Sequence, residues 1–150
     1  MSERCMTFQE IQKKIQDKHK DKILKWHEHN ENRIYVDIDP KDWIEFGRFL
    51  LDEFDSRFII ASAVDTPWDG LEILYHFDFH HLPQVFSVRV FLKKHELEIE
   101  SMAPYSKATE WIEREMAELF GITFKNHPDM KHLILPDDWP EGNYPLRRDQ

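Results

Sequence analysis

Two short stretches carry the residue types of a metal site. In "HPDMKH", His127, Asp129 and His132 lie within six residues of one another. In "HFDFH", His76, Asp78 and His80 alternate, so on a strand they would share one face roughly 7 Å apart. A zinc site needs side chains fixed by regular structure and by the groups that orient them. Pro128 makes the first stretch extended, so His127 and Asp129 can point the same way while His132 need not; capping and docking of the following segment is the other reading. The second set is better placed, as the ligands of a stand-alone metal-dependent enzyme. Its spacing is wide for one ion without a fourth partner, and the polar face of a half-buried strand accounts for it equally.

Other catalytic chemistry has little support. Cys5 falls at the start of the chain and no serine sits in a Gly-x-Ser-x-Gly turn. Four glycines leave no phosphate loop and no dinucleotide fingerprint. Glu113 and Glu115 border an apolar stripe of Ile112, Met116, Leu119 and Phe120 on opposite sides, with Arg114 pointing away. Such a pair suits polar partners across an interface, since an acid–base couple would have to converge; a solvated helix with Glu110 and Arg114 paired one turn apart fits as well.

The elements that must carry these residues fit one domain of 150 residues, 41% hydrophobic, with a net charge of -9. That charge argues against nucleic-acid binding. A single cysteine rules out an internal disulfide and suggests a reducing compartment. The N-terminus lacks the apolar run of a secretory signal, and Phe58 to Val64, the longest nearly uninterrupted apolar run, is far short of a membrane span. Phe8, Ile11, Ile15, Ile23 and Leu24 suggest a helix over 7–25, opened by a Thr7–Glu10 capping box. Residues 33–39 alternate as a strand, and Asp39 with Pro40 starts a helix to about Asp55 with Trp43, Phe46, Phe49, Leu50 and Phe54 inward. Strands follow at 57–64, apolar enough to be central, and at 71–79 and 85–92, which form a hairpin. Residues 96–100 read as a short edge strand. A last helix runs from 106 to 120 and stops at Gly121. The fold class is α+β, a mixed sheet of about four strands flanked by helices.

Beyond Gly121 periodicity ends. Pro128, Pro136, Pro140 and Pro145 stiffen a segment that still carries Phe124, Met130, Leu133, Ile134, Leu135, Trp139, Tyr144 and Leu146. Such a segment needs a surface to lie on. The chain therefore divides into an α+β domain, 1–121, and an extended tail, 122–150, that docks on a partner subunit.

From Trp111 to Asp149 the order of fixed points resembles the 30-kDa subunit family of respiratory complex I. The points are Glu113-Arg114-Glu115, Phe120-Gly121-Ile122, Phe124, His127-Pro128-Asp129, Leu133 to Pro136, Asp138-Trp139 and Pro145 to Asp149. The strands before them are similar more loosely. One departure is Glu118, where the family usually has Asp. The chain stops one residue after Asp149, a compactness typical of archaeal complexes and of related membrane-bound NiFe hydrogenases and sulfur reductases, which use ferredoxin in place of NADH.

The resemblance implies a cofactor-free assembly subunit in the hydrophilic arm of a membrane-bound oxidoreductase, with no active site of its own and no nucleic acid among its partners. NADH- or ferredoxin-linked electron transfer would be coupled to ion translocation. Its neighbours would be a large subunit resembling the hydrogenase large subunit or the 49-kDa subunit of complex I, together with iron–sulfur subunits. Iron–sulfur clusters, and in some relatives a NiFe centre, would lie in those partners. The location would be cytoplasmic, peripheral to the membrane. The expected partner interface is Glu113, Arg114, Glu115, His127, Asp129, Leu133, Leu135, Trp139 and Arg147, and no catalytic, cofactor or metal residue is expected.

Overall fold

A computed structural model describes residues 5–149; residues 1–4 and Gln150, the outer ends of the two expected units, lie outside the described residues. Helix α1 (Phe8–His19) opens on the expected capping box, with the Thr7 and Glu10 side chains each accepting from the other's amide. Strands β1 (Ile23–Asn30) and β2 (Arg33–Ile38) follow, then a 3-10 turn (Pro40–Asp42) capped by Asp39 and helix α2 (Trp43–Phe54). Next come β3 (Ser56–Thr66), β4 (Gly70–Phe79), β5 (Val85–Lys93) and β6 (Glu98–Glu100). Another 3-10 turn (Lys107–Thr109) leads into α3 (Glu110–Phe120), and β7 (Thr123–Lys125) ends the regular structure.

Five strands make a mixed sheet in the order β1-β2-β5-β4-β3, antiparallel except where β2 runs parallel to β5. Alternation turns Ile34, Val36 and Ile38, Leu71 to Phe79 in steps of two, and Phe86, Val88, Val90 and Leu92 to one buried face. Helices α1 and α2 cover that face. Phe8 packs on Phe79, Phe46 on Phe86, and the Trp43 indole stacks on Tyr75 at 3.9 Å.

The α+β class holds, with corrections to its elements. The helix expected over 7–25 stops at His19, because Lys18, Lys20 and Lys22 supply nothing apolar to continue its face. Ile23 and Leu24 begin an unexpected fifth strand; only Ile23 and Trp26 of β1 pack on the core, which leaves its two-residue period too weak to read. Strand β3 is an outer strand of the sheet and not central, and it exposes Ile59, Ile60 and Val64. Residues 98–100 do not edge the main sheet. They pair in parallel with β7, Ile99 opposite Phe124 and both buried, so the packed chain runs to Lys125, past residue 121.

Candidate functional site

Helix α3 and the segment after it hold most of the residues singled out in the sequence. The helix closes at Gly121, whose φ of 76° lies in the left-handed region and whose N–H donates to the Ala117 carbonyl. The Tyr144 ring lies on the same glycine; a Cβ there would sit 2.5 Å from it. No side chain fits.

Around the helix the charged residues divide by direction. Glu113 points into the core and is fully buried, which corrects the expectation that it borders the apolar stripe from outside. Its carboxylate accepts from the Ser101 hydroxyl and, at 2.8 Å, from the Met102 amide. Burial raises its pKa to about 7 against the opposing pull of those bonds. The charge acts on Tyr75 too: burial first, then Glu113, holds that phenol well above its usual range.

Arg114 points away from that stripe, but not into solvent. It is buried, and its guanidinium donates to the carbonyls of Lys131 at 3.0 Å and His132 at 2.7 Å. One turn on, Glu118 accepts from the amides of Leu133 (3.0 Å), Ile134 (2.7 Å) and Leu135 (3.4 Å) and from His132 Nδ1 (3.0 Å). Burial alone would raise its pKa, but these donors outweigh it and hold the carboxyl below its ordinary value. Together the two residues grip the backbone of 131–135 on the helix. Periodicity could not reveal Glu118, which stood out only as a substitution; its place four residues after Arg114, on one helical face, was the available signal.

His127 fixes the turn into this segment. Its Nε2 donates to the Glu110 carbonyl at 2.9 Å and its Nδ1 accepts from the Asp129 amide at 3.1 Å, a pattern met by the neutral ring protonated on Nε2. The Asp129 side chain turns outward to Lys131. At the far end Arg147 donates to the Phe120 carbonyl at 3.1 Å and grips Asp149 with two nitrogens, while Leu146 N–H reaches Leu119 O. Trp139 is half-buried, its indole N–H on Asn143 O, in a groove of about 540 Å³ between Arg114, Glu118, His132 and Tyr144.

Held through its backbone, the segment turns large side chains outward. Ile134 is 60% exposed, and Met130, Leu133 and Leu146 are exposed as well, whereas Leu135 is half-buried. Trp111, on the outer side of α3, is 67% exposed. Glu115 is half-buried beside it.

The histidine sets do not converge. His132 serves Glu118 while His127 faces Glu110 and, at 3.9 Å, Glu113. His76 bonds Ser87, Asp78 pairs with Arg57, and His80 approaches Asp55 at 4.0 Å. Among the described residues no three His, Cys, Asp or Glu side chains are grouped to hold a metal ion. The arrangement anchors a peptide segment and presents an apolar surface.

Residues 36–150 match the sequence profile of the respiratory-chain NADH dehydrogenase 30 Kd subunit family. The chain belongs to this family. It is 42% identical over 119 residues to a subunit of the F(420)H(2) dehydrogenase of Methanosarcina mazei, covering 78% of this chain and 73% of that protein. It is 29% identical over 147 residues to a subunit of the NADH-quinone oxidoreductase of Ruegeria pomeroyi, covering 95% and 72%. A chain in the structure of the membrane-bound sulfane sulfur reductase, an archaeal respiratory membrane complex, superposes with a TM-score of 0.83 at 23% identity, over 94% of this chain and 84% of that one, which shows a shared fold. As a family member the chain is a subunit of a complex-I-like respiratory oxidoreductase. Among the described residues no helix is long and apolar enough to cross a membrane.

Proposed function

We propose that this chain holds no redox centre and assembles the peripheral arm of a membrane-bound, ion-translocating complex, docking on the large subunit through α3 and residues 126–149. One observation carries the reading. Arg114 and Glu118 of α3 hold the segment's backbone, and His127 and Arg147 of the segment hold carbonyls of α3, so Met130, Leu133, Ile134 and Leu146 stay outward on an ordered scaffold. A preordered apolar surface loses little entropy on docking and regains the hydrophobic term, about 25 cal/mol per Å² buried.

Four expected interface residues change role in this reading. Glu113, Arg114, His127 and Arg147 act within the chain, shaping the surface, while Trp139 and Leu133 remain at it. The relatives are named for different electron donors, F(420)H(2) and NADH. Donor choice, the iron–sulfur clusters and any NiFe centre then belong to other chains, on the cytoplasmic side of the membrane. The test is retention of the subunit on the affinity-purified complex. Ile134→Asp and Leu133→Asp should each lower it while the isolated chain keeps its fold; full retention of both variants would refute the docking face.

A further inference from the structure

Helix α3 carries Glu110, Glu113, Glu115 and Glu118. Glu113 is used by Ser101 and Met102, and Glu118 by the backbone of 133–135. Glu115 differs. It is half-buried, and among the described residues nothing donates a hydrogen bond to it or pairs with it. Its neighbour one turn earlier is Trp111, 67% exposed.

At this spacing the two Cβ atoms stand about 5–6 Å apart. Helical side chains lean toward the N-terminus, which directs the Glu115 carboxylate toward the turn that carries the indole. The core takes the side of α3 bearing Glu113, Met116 and Phe120, and the C-terminal segment takes Arg114 and Glu118. By helical spacing Trp111 and Glu115 share the strip left over, beside Glu118, which holds the amides of 133–135. Any partner covering Ile134 would cover part of this strip. A half-buried carboxylate that then loses its remaining water must gain hydrogen-bond donors, as Glu113 and Glu118 do within the chain, and a cation supplies the strongest of them.

We propose that Trp111 and Glu115 form a clamp for one arginine side chain of the partner subunit, the indole stacking on the guanidinium plane and the carboxylate accepting its paired N–H groups. This rests on the docking face proposed above and names its charged contact. Arginine fits where lysine does not: a planar cation can stack on a ring and present a two-pronged edge to a carboxylate at once. The chain makes half of this contact internally, with the Arg48 guanidinium 4.4 Å from the Tyr105 ring centroid.

The experiment measures retention of the subunit on the purified complex for Trp111→Ala, Glu115→Gln, their combination and Ile134→Asp. Each single change at the clamp should weaken association about tenfold. The pair should weaken it far less than the product of the two, because both residues hold one group. Loss with Ile134→Asp but none with either clamp variant overturns the clamp and leaves the docking face standing. Multiplying effects overturn the shared cation. No loss with Ile134→Asp or with Leu133→Asp removes the docking face and the clamp with it. A zero-length carbodiimide cross-link from Glu115 to a partner lysine overturns the choice of arginine.

Discussion

Glu113 makes the stability of this chain depend on pH in a direction opposite to that of most carboxylates. In the unfolded chain the group ionises near its ordinary value of 4.5, and in the folded chain it keeps its proton to about 7. Between those values the folded state holds the extra proton, so the Glu113 contribution declines as pH rises from about 4.5 through 7 and is level above that. Moving the ionisation that far corresponds to about 3 kcal/mol, at 1.36 kcal/mol for each pH decade. The cause is specific: full burial, only partly offset by Ser101 and Met102. Glu113→Gln keeps the shape and removes the charge. Urea unfolding of the isolated chain at pH 5 and pH 8 gives the comparison. The wild type should lose about 2.5 kcal/mol more than the variant between the two pH values, most of the full shift, and the comparison cancels the titration of every other group. An equal loss in both proteins would mean that Glu113 stays ionised in the folded state, and the buried-acid reasoning would fail.

Other outcomes follow from the same contacts. Glu118→Gln should speed hydrogen exchange of the Leu133, Ile134 and Leu135 amides by about tenfold to a hundredfold, since charge-assisted bonds contribute about 1.5–3 kcal/mol; exchange unchanged from wild type would show that 131–135 is held by other means. Glu118 ionises below 4.5, so its hold is complete above that pH and is lost as pH falls through the folded value. Wild-type protection of these amides should fade on acidification and that of the Glu118→Gln variant should not. Gly121→Ala should cost at least about 1 kcal/mol in thermal unfolding, from the left-handed backbone and the Tyr144 contact together; a neutral change would show that the ring moves aside freely.

Much of the fold was legible because its signals are local. Thr7 and Glu10 cap α1, Gly121 ends α3, and alternation marks β2, β4 and β5. Strand β1 was not, because an exposed outer strand such as "ILKWHEHN" turns few apolar residues inward. Nor was the outer position of β3, since apolar density reports burial capacity and not pairing order. At the candidate site the order of motif residues identified the family, but not what each residue does. Arg114 and Glu118 bind backbone groups, contacts that depend on where a distant segment lies and leave no period in the sequence. For the same reason the tail could be read as unsupported until those bonds placed it on α3.

A subunit that assembles the complex and performs none of its chemistry changes how many complexes form and not how fast each one works. Turnover per assembled complex tests it, measured for Ile134→Asp against wild type on preparations normalised to the large subunit and sorted by the presence of this chain. Fewer complete complexes, each with unchanged turnover, are expected. A normal amount of complete complex with collapsed turnover would contradict it, because residues 126–149 would then take part in the reaction itself.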